Sequence, residues 1–161
     1  MRLRFSQVTL LVMLCCSGLG IAQSSMGRSS GQLLYLPIYS HIWHGDVDSR
    51  GRPAKTLVSI LVSIRNTDPL KSIRLTSAQY YDTDGKRIKE YIASPTMIRP
   101  MGTYEIFVSR SDDAGGSGAN FVVSWQADSP ASPPLVEGVH VNLPAARSIA
   151  FVTTARPMPP E

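Results

Sequence analysis

The sequence predicts an all-β protein, an antiparallel immunoglobulin-like β-sandwich of seven to eight strands, with a small β-barrel as the competing architecture. Three observations carry this expectation. Apolar residues recur with period two, the spacing of a half-buried strand. Turn signals separate the runs: "NTDP", "DTDG", "RPMG" and "DSPASPP". No segment shows the 3.6-residue apolar spacing of a helix.

The strands follow in order. "LLYLPIYSHIW" (33–43) contains Pro37, which cannot donate to a ladder and so marks an edge strand. In "TLVSILVSIR" (56–65), Val58, Ile60, Val62 and Ile64 share one face, with Ser59, Ser63 and Arg65 opposite. "SIRLTSAQYYD" (72–82) breaks phase between Ile73 and Leu75 on one side and Ala78 and Tyr80 on the other, which predicts a bulge near Thr76 and Ser77. "KRIKEYI" (86–92) follows the Asp-Gly turn. In "TYEIFVSR" (103–110), Tyr104, Ile106 and Val108 form the apolar face. In "ANFVVSWQA" (119–127), Phe121, Val123 and Trp125 do the same. "LVEGVHVNL" (135–143) and "RSIAFVTT" (147–154) complete the set, the latter with Ile149 and Phe151 on one face.

The ends of the 161-residue chain read differently. Arg2 and Arg4 precede the apolar run "VTLLVMLCC" and the small-residue exit "SGLGIA", the pattern of a secretory signal peptide. The expected divisions are a signal over 1–22 cleaved after Ala22, a flexible leader over 23–31, one β domain over 32–155 and a proline-rich tail over 156–161. The apolar run falls short of the roughly 20 residues that span a bilayer, which argues against an uncleaved anchor. Removing the signal leaves 14 basic against 12 acidic side chains, a net charge of +2, and no basic cluster points to nucleic acid. Both cysteines, Cys15 and Cys16, fall in the signal, so the folded part must rely on its core rather than on disulfides. The expected location is outside the cytoplasm, periplasmic or extracellular. The alternative is a membrane lipoprotein lipidated at Cys16, the one route to membrane contact, although Leu14 and Cys15 are poor residues to precede such a cysteine.

Four stretches hold chemistry-bearing residues. In "YYDTDGKRI", Asp82, Asp84 and Gly85 resemble the opening of a calcium loop, but Lys86 and Ala93 stand where the fifth and twelfth ligands belong. An Asp-Gly hairpin turn is the better reading. In "YSHIWHGD", His41, His44 and Asp46 are possible zinc ligands, yet residues three apart on a strand point to opposite faces. Tyr35, Tyr39 and Trp43 join them as a candidate contact surface, since aromatic side chains anchor interfaces.

"DDAGGSGANF" offers Asp112, Asp113, Gly115, Gly116, Gly118 and Asn120. Only one copy of a glycine-rich calcium repeat is present, whereas such sites form between stacked copies. Ala119 replaces the second glycine of a nucleophile elbow, and no lysine follows for a phosphate loop. A structural connection remains, with positive-φ glycines and with Asp112, Asp113 and Asn120 capping loop amides.

Taken together, "YSHIWHGD", "SIRNTDP", "YYDTDGK", "GGSGANFVVSWQAD" and "PPLVEGV" resemble the bacterial family called domain of unknown function 3124, over roughly residues 31–155. The resemblance implies an exported bacterial protein with a small β domain. It brings no activity, cofactor or catalytic residue. The expected function is a non-catalytic binding or assembly module of the cell envelope, acting on an unidentified envelope protein or ligand. The alternatives are a metal-dependent enzyme built on His41, His44 and Asp46, with Asp113 as a further candidate, and a carrier of a small ligand between the sheets. No cofactor or metal is expected under the first reading.

Overall fold

A computed structural model describes residues 27–159. The expected signal peptide, its cleavage point after Ala22, and Cys15 and Cys16 lie outside the described residues. Twelve strands and no helix are found among those described: β1 (Ser29–Pro37), β2 (His41–Val47), β3 (Pro53–Leu57), β4 (Ser59–Arg65), β5 (Ile73–Tyr81), β6 (Arg87–Glu90), β7 (Thr96–Ile98), β8 (Thr103–Val108), β9 (Asn120–Ala131), β10 (Leu135–Asn142), β11 (Ile149–Thr154) and β12 (Arg156–Pro157). The first sheet has the order β12-β1-β9-β5-β6, with β7 also paired to β5. The second has the order β11-β10-β4-β8. β2 and β3 form a sheet of their own. Every pairing is antiparallel. The two large sheets stack as a β-sandwich, and neither closes into a barrel.

The eight strands read from the sequence correspond to β1, β4, β5, β6, β8, β9, β10 and β11. Two runs prove longer than one strand each. The chain leaves β9 after Pro37. Ile38 donates its amide to Ala119 O and Ser40 donates to Gly116 O before β2 begins. Likewise β3 ends at Leu57, Val58 donates to Ser40 O, and β4 starts at Ser59. Both breaks have one cause: residues 41–57 turn out of the sandwich as a hairpin. The divisions at the ends also shift. β1 begins at Ser29, inside the stretch expected as a leader, because backbone pairing with β9 does not require apolar side chains. Arg156 and Pro157, expected as tail, pair with Tyr35 and Leu34. β12 and the Met158 amide, which donates to Leu33 O, cover this edge of β1 from Leu33 to Tyr35, and Pro37 lies beyond the paired part.

The phase break in β5 is a bulge, with the register to β9 shifting between Leu75 and Ser77. It places Ile73, Leu75, Ala78 and Tyr80 all in the core. Leu36, Val62, Ile64, Phe121, Val123 and Trp125 join them, each essentially without solvent exposure. Tyr80 stacks on Phe121 with ring centroids 5.2 Å apart. These side chains fill the space between the sheets that a ligand carrier would need empty. Trp125 Nε1 is buried with no hydrogen-bond partner among the described residues.

One end of the sandwich is closed by a buried polar knot in "NTDP". The Asn66 amide nitrogen donates to the carbonyls of Lys71, Ile98 and Arg99, and Asn66 N donates to Gly102 O. Asp68 is 1% exposed. Its carboxylate accepts from the amides of Leu70, Lys71 and Ser132, and Arg28 reaches it at 2.7 Å. The Ser132 and Leu70 amides, ahead of Lys71 and the Arg28 charge, lower its pKa from 3.8 to about 2.

Two outcomes follow. Trp125→Ala is expected to cost about 3–5 kcal/mol, the usual range for a buried large aromatic. Trp125→Phe should cost far less, because it keeps most of the ring and removes an unpaired donor. Equal urea midpoints for wild type and Trp125→Ala would put the tryptophan outside the core. For Asp68, the folded carboxyl titrates below the unfolded one, so its contribution is complete above about pH 3.8 and is lost as pH falls toward about 2. Asp68→Asn should lower stability at neutral pH and flatten the stability profile across that acid window. A profile in Asp68→Asn as steep as that of wild type would contradict this.

Candidate functional site

The expected contact residues do not form one surface. Tyr35 lies on the outer face of the first sheet, 40% exposed, beside Arg156. Tyr39 sits in the β1–β2 connection and packs edge-on against the rings of His140 and Phe151, each 5.7 Å away. The remaining four belong to the β2–β3 hairpin, an arm whose strands pair only with each other.

The arm follows directly from its sequence. Its tip is "DSRGR". Asp48 accepts the amides of Arg50 and Arg52 on Oδ1, Asp48 N donates to Arg52 O, and Gly51 takes φ 75°. "DTDGK" builds the β5–β6 turn identically. Asp82 Oδ1 accepts from Asp84 and Lys86, Asp82 N donates to Lys86 O, and Gly85 takes φ 80°. The calcium resemblance of Asp82 and Asp84 is therefore a hairpin turn in which Asp82 is occupied by backbone amides. The shared pattern D-[ST]-x-G-[RK] was the signal that a second hairpin lay at 48–52.

His41 and His44 fall on opposite faces of the arm. His41 is buried at its base, its ring 4.9 Å from that of Trp43. Burial, then the nearby Lys55 charge, lowers its pKa, which keeps the ring neutral at pH 7. His44 Nε2 lies 2.8 Å from Thr56 Oγ1 across the arm. Asp46 sits in a bulge between His44 and Val47, exposed to solvent. Asp113 is occupied by Lys55 at 2.7 Å. The two imidazoles that a metal-dependent enzyme would have to bring together therefore lie on opposite faces of the arm. No group of three or more His, Cys, Asp or Glu side chains with metal-binding spacing occurs among the described residues.

The glycine-rich stretch is the arm's footing. Gly116 O accepts from Ser40, and Gly115 O accepts both the amide and the hydroxyl of Thr83. Gly118 N donates to Thr83 Oγ1. The loop therefore ties the arm to the β5–β6 turn. Only Gly116 has positive φ, at 77°. Gly115 is required for another reason: a Cβ there would collide with the Tyr80 hydroxyl and lie 2.7 Å from the Ala119 methyl. Asp112 caps the Ala114 amide at 3.3 Å, whereas Asp113 pairs with Lys55 instead of capping, and Asn120 is the first residue of β9.

His140, which the sequence left without a role, is fully buried on β10. Its Nε2 accepts the Tyr39 amide, and its Nδ1 lies 3.1 Å from Gly138 O. Burial lowers its pKa to about 4. It is a neutral structural bridge from β10 to the arm's base. The alternation "VHV" was a signal of its burial. On the other side of the molecule, a bulge at Ala127–Pro130 of β9 borders an open groove of about 630 Å³, lined by Leu33, Arg74, Gln126, Asp128 and Met158.

Fold and surface together define a sandwich domain that presents a hairpin arm. The chain belongs to the family described as protein of unknown function (DUF3124), whose model matches residues 31–158. It is also similar to a solved structure from Thermotoga maritima, titled "Crystal Structure of Thermotoga maritima 1070", with 8% identity, a TM-score of 0.42, and coverage of 78% of this chain and 92% of that one. No curated protein matches the chain.

Gly115→Ala should destabilise by about 1–3 kcal/mol, the range for overpacking a filled site. Gly118→Ala should cost less, because its Cβ would meet only Thr83, at 3.1 Å. The melting temperature should be the same in millimolar calcium and in chelator. A calcium-dependent rise that disappears in Asp113→Ala would make the loop a binding site.

Proposed function

We propose that this domain is a non-catalytic binding or assembly module of the bacterial cell envelope, with the β2–β3 arm as its contacting element. One observation carries the reading: the arm stands clear of both sheets with Trp43 51% and Val47 62% exposed. Large apolar side chains on a braced, free-standing hairpin suit recognition, since a preorganised surface loses little freedom on binding. The bracing is concrete: Lys55–Asp113, Ser40–Gly116 and Tyr39–His140 all hold the arm's base. Export is supported by Arg2, Arg4 and the apolar run before Ala22.

The test is capture from envelope extracts by the chain from residue 23 onward, followed by mass spectrometry. Trp43→Ala combined with Val47→Ser should lose the retained partner while lowering the melting temperature only slightly, because Val47 is largely exposed and Trp43 is half exposed, its ring resting on His41. Undiminished retention by this variant would remove the arm from the proposal.

A further inference from the structure

We propose that the outer face of the four-stranded sheet is a self-association surface that docks a second copy of this chain, face to face. An antiparallel sheet with one solvated face normally alternates apolar and polar residues. This one does not. Phe107, Leu61, Val139 and Val152 are successive cross-strand neighbours on β8, β4, β10 and β11, all on the face turned away from the core. Phe107 is 64% and Val152 56% exposed. The adjoining row, Ser59, Val141 and Ala150, is small or apolar, and Leu143 at its border is 68% exposed. The apolar band therefore crosses the whole sheet.

The borders of the band specify the partner. On one side runs a row containing Glu105, Ser63, Glu137 and Thr154. On the other, Arg110 lines a shallow hollow with Phe107, Ser59, Val141 and Leu143. Glu105 and Arg110 are both exposed, and neither forms an ion pair among the described residues. Place a two-fold axis in the interface, parallel to the rows and between the Phe107 and Ser59 rows. It sets β8 of one copy against β8 of its partner with the rows reversed. Each Phe107 then lies over the other copy's hollow, and each Glu105 lies over the other copy's Arg110. The face is self-complementary in shape and in charge, as an isologous interface requires. Four strands spaced about 4.8 Å and four rows spaced about 6.8 Å give a flat footprint of roughly 500 Å² per partner, or about 1,000 Å² for the pair, the lower bound for a specific interface and below the standard size.

This inference is independent of the arm. Sedimentation velocity of the chain from residue 23 onward, over the micromolar range, should show a monomer–dimer equilibrium. Phe107→Glu should raise the dimer dissociation constant by roughly thirtyfold or more, the effect of losing an interface hot spot, with no change in melting temperature at concentrations where wild type is monomeric. Glu105→Arg should weaken the dimer, and adding Arg110→Glu should restore it. A wild-type chain that stays monomeric throughout the range overturns the proposal, whether or not it binds lipid vesicles. So does a dimer that Phe107→Glu leaves intact. A charge swap that fails to rescue overturns the two-fold arrangement.

Discussion

β4 is seven residues long, and what happens at its two ends governs the rest of the molecule. At one end the chain runs into Asn66 and Asp68, where a buried carboxylate is surrounded by three amides and an arginine. A charge in that position is tolerable only when fully partnered. That requirement brings the β4–β5 and β9–β10 connections and the Arg28 segment to one point, and Asn66 ties the β7–β8 connection to it through Arg99 O and Gly102 O. At the other end the chain enters the arm, and Ser40, Gly116, Thr83 and His140 perform the corresponding joining. The core between these ends is held by close packing, and the closures at either end come from hydrogen bonds.

Much of this architecture was legible in the residues. Period two located eight of the ten strands that build the sandwich, missing the short β7 and β12, and the odd-to-even change in β5 located its bulge. The arm was not legible as an arm. "LLYLPIYSHIW" and "TLVSILVSIR" keep their apolar character straight through the points where the chain leaves one sheet for another. Period two reports which face is apolar, and says nothing of which strand lies alongside. The departure is written in backbone bonds from Ile38 and Ser40 to the glycine-rich loop, far away in sequence.

The site was legible in part. The opposition of His41 and His44 followed from strand geometry alone. The burial of His41 did not, because it depends on how the arm's base packs, with the Trp43 ring against the imidazole. His140 was passed over because a lone histidine in an apolar strand gives no chemical signal until its neighbours Tyr39 and Phe151 are known. The glycines of "DDAGGSGANF" were expected to matter through backbone angle. One does, and Gly115 matters through the hydroxyl of Tyr80, a contact across 35 residues of chain that no local pattern contains.

The origin of the arm has a mechanical consequence. β2 continues from β1, which belongs to the first sheet, and β3 continues into β4, which belongs to the second. A load applied at the arm's tip would therefore divide between the two sheets. In each it would run along a strand bonded to its neighbour over most of its length, so the ladder would resist in shear, all bonds sharing the load, rather than opening one bond at a time. A tether attached at "DSRGR" would pull on the whole sandwich and not on one hairpin.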